Sequence, residues 1–169
     1  MKQERHAKLL PSDHMIEGAE LIEGAVLRPA EGSDPAVQAL TNAQQAELAA
    51  MYGEDQPLVG LHPGIAFTLL LIEDAPVGCI GLQPVAPGVG EIKRLYVDPA
   101  FRGWGLSRLL LTHLESQARA QGLTTLRLET GTEQHAALAL YTRHGYTPIP
   151  AYPPFENEPA SRCFTKSLG

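Results

Sequence analysis

A chain of 169 residues that is 44% hydrophobic can bury a core as a single domain. Its formal net charge of −6 argues against a broad basic face for nucleic acid. The two cysteines, Cys79 and Cys163, have no metal-type CxxC spacing and no secretory segment before them, which reads as a reduced, cytoplasmic setting. None of the six histidines has a paired spacing such as HExxH, so no metal is expected, and no apolar run reaches membrane-spanning length.

Residues 1–19 are polar and charged and read as a flexible amino-terminal tail, with 20–169 as one domain. Residues 24–30 read as a first strand. The breaker Gly32-Ser-Asp-Pro35 then leads into a helix over 36–52, where Ala and Leu recur at helical spacing and Pro35 suits the first turn. Residues 65–73 and 77–83 are β-rich runs joined by a hairpin turn at Asp74-Ala75-Pro76. A second breaker over 84–90 precedes another strand over 91–98. Such tight connections imply antiparallel pairing.

Leu106, Leu109, Leu110 and Leu114 trace one face of a helix over 106–121, which Gly122 can end in the left-handed conformation. A strand over 123–129, a helix over 134–144 stopped by Gly145, and a last strand over 163–167 follow. Strand and helix alternate in this half, which requires parallel pairing, so the fold class is α/β with a mixed, α+β-like sheet. Residues 148–159, rich in proline and aromatics, read as a long loop.

The turn Phe101-Arg-Gly-Trp-Gly-Leu-Ser107 opens the leucine-rich helix. First-turn N–H groups of a helix lack partners and carry partial positive charge, which normally attracts Asp or Glu. Here no acid occurs between Phe101 and His113, while Arg102 and Arg108 add cations and two glycines admit close approach. The pattern calls for an external anion, most simply a phosphate or pyrophosphate. No GxxxxGK[ST] is present, and GxGxxG fails because Arg108 stands where the third glycine belongs.

Val97-Asp-Pro-Ala-Phe-Arg-Gly-Trp-Gly-Leu-Ser107 resembles the [QR]xxGx[GA] signature of the GNAT acetyltransferases. Arg102 and Gly105 match it, and Ser107 departs from the usual Gly or Ala. Glu91-Ile-Lys-Arg-Leu-Tyr-Val97 resembles the family's fourth strand, Leu126-Arg-Leu-Glu129 its fifth, and Ala137-Leu-Ala-Leu-Tyr141 through Gly145-Tyr146 its second signature helix and exit. The resemblance covers 77–166. It implies the acyl-CoA N-acyltransferase fold: a mostly antiparallel central sheet, parallel and splayed fourth and fifth strands, and helices on both faces.

The resemblance further implies acetyl-CoA as co-substrate, with no metal. It assigns the backbone around Leu95, Tyr96 and Val97 to pantetheine. The turn, from Arg102 through Gly103, Trp104, Gly105, Leu106 and Ser107 to Arg108, is assigned to the pyrophosphate. Gln134 falls where many relatives carry an Asn touching pantetheine. Tyr141 matches the tyrosine that protonates the departing thiolate, and Glu91 the base of one branch, with Glu129 as second candidate. Strict alternation would put Glu91, Lys93, Leu95 and Val97 on one strand face, where Lys93 could pair with Glu91.

The implied reaction is acetyl transfer to the primary amine of a small molecule by direct attack. Acceptor contacts are expected from 51–62 and from the proline-rich loop with Tyr152 and Phe155. A non-catalytic acyl-CoA sensor and a protein N-terminal or lysine acetyltransferase are the alternatives. The resemblance is also compatible with a homodimer, and neither nucleic acid nor membrane is expected as a partner.

Overall fold

A computed structural model describes residues 24–53 and 61–169; the tail expected over 1–19 lies outside them. Strand β1 (Ala25–Glu31) is followed by helix α1 (Pro35–Tyr52) and the strands β2 (Ala66–Ile72), β3 (Ala75–Ala86) and β4 (Val89–Val97). Helix α2 (Leu106–Ala120), β5 (Thr125–Gly131), α3 (His135–Arg143), β6 (Thr147–Ile149) and β7 (Ser161–Ser167) complete the order. The strands form one seven-stranded sheet, β1-β2-β3-β4-β5-β7-β6. Among the described residues, only β4 and β5 pair in parallel.

Alternation along β2 feeds two cores. Phe67 and Leu69 face α1 and pack with Val37, Leu40, Cys79 and Tyr96. Leu70 and Ile72 face the other way, into a cluster with the α2 leucines 106, 109, 110, 111 and 114 and with Tyr141 of α3. Helices therefore cover both faces, as the resemblance implies. Leu110, Leu111 and Leu114 are at most 1% exposed, and burial of each stabilises the fold by about 1.5–3 kcal/mol. Helix α1 begins on Asp34, whose Oδ1 accepts from the Ala36 N–H at 2.8 Å, with Pro35 in the first turn.

Four features depart from the sequence reading. The first hairpin turns at Glu73-Asp74, both left-handed at φ 49° and 65°, as a two-residue turn between twisted strands requires. Ala75 and Pro76 belong to β3, where the register shift between Leu70 and Leu71 accommodates the proline. The second breaker shrinks to Pro87-Gly88, because β3 runs on to Ala86. Pairing of β3 with β2 ends at Leu82, so Pro84 needs no N–H on that side. The range expected as a loop, 148–159, opens with the last two residues of a further strand: β6 pairs with β7 through Pro148↔Phe164 and Ile149↔Cys163.

The fourth departure lies in β4. Gly81 opposes Lys93 and Cys79 opposes Tyr96, so two steps on β3 match three on β4, a bulge in which Arg94 adopts φ 55°. Strict alternation fails there. Glu91, Lys93 and Tyr96 share the α1 face, whereas Ile92, Leu95 and Val97 belong with the α2 core. The Cys79 thiol, which burial pushes up to about 12 and so keeps as a donor, donates to the Arg94 carbonyl at 3.4 Å.

Candidate active site

Pairing of β4 with β5 runs only from Val89↔Thr125 to Ile92↔Leu128. Beyond it β5 pairs with β7 alone, and β4 continues past its bulge toward the glycine turn. The two strands part, and a cavity of about 1040 Å³ lies at the parting, walled by the second half of α1, the start of α2 and helix α3. The unpaired segment of β4 presents Leu95, Tyr96 and Val97 to it, and β5 presents Glu129 and Thr130.

The glycine turn forms one end of the cavity. Asp98 caps a single 3-10 turn by accepting from the Ala100 N–H at 2.8 Å, and Gly103 and Gly105 then take φ 89° and 75°. Gly105 is the N-cap of α2, with no side-chain cap and no acid in the first turn. A Cβ built at Gly103 or Gly105 meets nothing within 4 Å, so the backbone there is open to a ligand. The N–H groups at the start of α2 face this space without intrahelical partners, an arrangement suited to an anion. Arg102, Gly103, Leu106, Ser107 and Arg108 all line the same cavity.

Two residues of α1, which no motif singles out, hold this wall together. Gln44 donates through Nε2 to the Leu95 carbonyl at 2.9 Å, and its Oε1 is buried without a partner among the described residues. Glu47 receives the Arg102 guanidinium through two bonds, at 3.0 and 2.8 Å, while Arg102 Nε donates to the Val97 carbonyl at 2.9 Å. Gln44, Glu47, Leu48 and Met51 share one helical face and line the cavity. Their spacing is visible in the sequence, but polar residues on an Ala-rich helix read equally well as a solvated face.

Tyr141 projects from α3 into the cavity wall, 5% exposed and edge-on to Tyr146 with ring centroids 5.5 Å apart. Burial raises its phenol above the usual range, so it stays protonated. Gln134 lines the cavity at the start of α3, close over Gly131. The Tyr52 hydroxyl, at the end of α1, accepts from the Glu133 N–H at 2.9 Å and closes the same corner.

The two candidate bases occupy different surroundings. Glu91 is 4% exposed and does not line the cavity. Its Oε1 takes Lys93 Nζ at 2.8 Å and the Tyr152 hydroxyl at 3.3 Å, and its Oε2 takes Arg127 through Nε and Nη2, each at 3.2 Å. Glu129 lines the cavity, and burial is the main cause that raises its carboxyl above the ordinary range; a Ser161 hydrogen bond and Lys93 oppose the shift, while Glu91 and Glu158 reinforce it. Trp104 also lies outside the lining: it is 37% exposed and packs edge-on to Phe101 at 5.8 Å. The segment expected to touch the acceptor, 51–62, falls partly outside the described residues. Among the described residues, no cluster of three or more metal-type side chains occurs.

A helix N-terminus opening onto a cavity where two parallel strands splay is the architecture of the acyl-CoA N-acyltransferases. Residues 35–146 match the Acetyltransferase (GNAT) family, and the chain belongs to it as an acyltransferase enzyme. The IAA acetyltransferase of Azospirillum brasilense is 36% identical over 107 residues, 63% of this chain and 70% of that protein. A [Ribosomal protein bS18]-alanine N-acetyltransferase of Salmonella typhimurium is 33% identical over 78 residues, 46% of this chain and 53% of that protein. A crystal structure from Klebsiella pneumoniae, described as an acyl-CoA N-acyltransferase, superposes with a TM-score of 0.75 at 34% identity, covering 86% of this chain and 98% of that one. A GNAT acetyltransferase of Elizabethkingia anophelis, solved with acetyl-CoA bound, shares the fold at a TM-score of 0.66 and 19% identity, covering 86% and 99% of the two chains.

Proposed function

We propose that the protein transfers the acetyl group of acetyl-CoA to the primary amine of a small molecule by direct attack, with Tyr141 as acid and Glu129 as base. The observation that carries this reading is that the open turn at the α2 N-terminus, Tyr141 and Glu129 all line one cavity. The turn amides hold the diphosphate, which brings pantetheine along the unpaired segment of β4. Glu129, raised by burial, accepts a proton from the ammonium form of the acceptor. The amine nitrogen then bonds to the thioester carbonyl carbon, the carbon–sulfur bond breaks as Tyr141 gives its proton to sulfur, and the surplus proton on the new amide nitrogen returns the Tyr141 phenolate to phenol. Products are the N-acetyl amide and coenzyme A thiol.

Glu129 is preferred to Glu91 because both oxygens of Glu91 are engaged by cations and a phenol away from the cavity. A small acceptor is favoured by the 150–160 loop. Tyr152 is 9% exposed, stacks under the Arg127 guanidinium at 4.1 Å and donates to Glu91, which pins the loop on the sheet face that carries Glu129. The two free, buried cysteines agree with a reducing compartment.

The test is release of coenzyme A thiol from acetyl-CoA against a panel of small amines, peptide amino termini and lysyl peptides, with products identified by mass. Acetylation of small amines alone supports the proposal. Turnover confined to peptides shifts it to a protein acetyltransferase, and coenzyme binding without thiol release across the panel favours a sensor.

A further inference from the structure

We propose that Glu91 is a positioning residue that holds the Lys93 ammonium on itself, so that Glu129, one strand away, remains free to take up a proton. The inference rests on Glu129 being the base, and its test separates the two claims.

Lys93, Glu91, Arg127 and Glu129 lie on one face of adjoining strands, since Glu91 opposes Arg127 in the β4–β5 register and each is followed two residues later by the next charged side chain. Glu91 is 4% exposed and has four contacts from three cationic or phenolic groups. A carboxylate that buried and that fully engaged does not serve as a mobile acceptor; it fixes its partners. Lys93 is a single ammonium on a long stem, with its side chain 30% exposed, and Glu91 Oε1 lies 2.8 Å from it. It also acts on Glu129 through charge.

The groups facing Glu129 come from every neighbouring element. Lys93 and Glu91 act from β4, Glu158 from the loop, and from β7 come Ser161, which hydrogen-bonds to it, and Cys163, which opposes it in register. Only Lys93 among these brings positive charge. With Glu91 neutral, Lys93 loses its nearest anion, and Glu129 becomes a carboxylate within its reach. A salt bridge there would lower the proton affinity of Glu129 and weaken it as a base. Glu91 prevents this by competition.

The experiment follows the Glu129 carboxyl carbon by NMR in the full-length, 13C-glutamate-labelled protein, with the resonance assigned by its loss in Glu129→Gln. Glu91→Gln is expected to move the Glu129 titration midpoint down by about one pH unit. Lys93→Met is expected to move it up, and the double variant Glu91→Gln/Lys93→Met to return it close to that of the parent. Midpoints unmoved in both single variants overturn the positioning role, and so does a fall as large when Glu91→Gln is made in the Lys93→Met background, which assigns the effect to the charge of Glu91 itself. Should Glu91→Gln fail to fold, Lys93→Met decides alone, since an unmoved midpoint there shows that Lys93 has no hold on Glu129. Turnover of Glu129→Gln on the best acceptor of the amine panel tests the base assignment separately. Full retention of rate overturns that assignment whatever the midpoints do.

Discussion

Arg102 reaches from the glycine turn to Glu47 on α1, placing its two terminal nitrogens 3.0 and 2.8 Å from the two carboxylate oxygens. With Nε on the Val97 carbonyl, the guanidinium ties three pieces of chain together: the end of β4, the turn and the helix on the far wall. The Arg102 side chain thus fastens the turn, while the backbone at Gly103 and Gly105 stays open.

The pair is half-exposed, with side chains 44% and 38% accessible, so water screens most of its contribution. Glu47→Ala is expected to change stability by no more than about 1 kcal/mol. Affinity for acetyl-CoA should nevertheless fall several-fold, because the turn loses its anchor. Calorimetric titration with coenzyme A checks this, and an unchanged Kd would mean that the turn holds its shape without α1.

Acetyl-CoA is expected to raise the Tm, since a ligand bound only by the folded state stabilises it by mass action. Gly105→Val should abolish that rise. The position has φ 75°, which a β-branched residue resists, and the new side chain would enter the open space before the helix N-terminus. A thermal shift as large as that of the parent would remove the turn from the coenzyme site.

Tyr141→Phe keeps the ring that packs edge-on against Tyr146 and removes only the hydroxyl. Coenzyme affinity and Tm should change little, while kcat falls by about a hundredfold or more. If kcat is retained on a confirmed acceptor, Tyr141 is a core aromatic and the proton reaches sulfur from elsewhere.

Glu129, the proposed base, also bears on stability. Burial raises its pKa in the folded protein above that of the unfolded chain, so the group supports folding where it is protonated. That contribution is complete below the ordinary carboxylate range, about pH 4, and is lost as pH rises through the raised folded value. Glu129→Gln, which never ionises, is therefore expected to melt above the parent at neutral pH and level with it at about pH 4. Thermal melts across this range decide the point; a variant less stable than the parent at neutral pH would show the carboxylate to be a stabilising partner.

Gly131 has no room for a side chain: a Cβ there would strike the Tyr52 hydroxyl and crowd Gln134 Nε2 at 2.9 Å. Gly131→Ala is expected to push Tyr52 off the Glu133 N–H and to cost about 1–3 kcal/mol. Tyr52→Phe, which loses only the hydrogen bond, should cost about 1 kcal/mol. Chemical denaturation of the two variants checks the order, and equal stability of Gly131→Ala and the parent would show that this corner repacks freely.

Much of the fold was legible because its signals are local. Pro35 behind Asp34, the α2 leucines and the left-handed Gly122 and Gly145 each act through the backbone within a few residues, and these elements fall within a residue or two of where the spacing puts them. The misplaced turns have one common cause. Pro76 and Pro84 look like breakers along the chain, and only the pairing of β3 with its neighbours shows that neither needed an N–H.

The chain by itself determined the open, uncapped turn before α2, because unpaired N–H groups, the lack of acids and the glycine freedom are all properties of residues 101–108. The tertiary structure alone decided which carboxylate lines the cavity. A one-residue bulge at Arg94 reverses every side chain after it, and its position depends on pairing with β3 across a turn. Likewise Glu91 and Glu129 are chemically the same acid in the sequence. Three partners from separate segments, Lys93, Arg127 and Tyr152, hold one as a fixed counter-ion, and burial beside the splayed strands raises the other, because ionisation answers to burial and neighbouring charge, which only the assembled fold supplies.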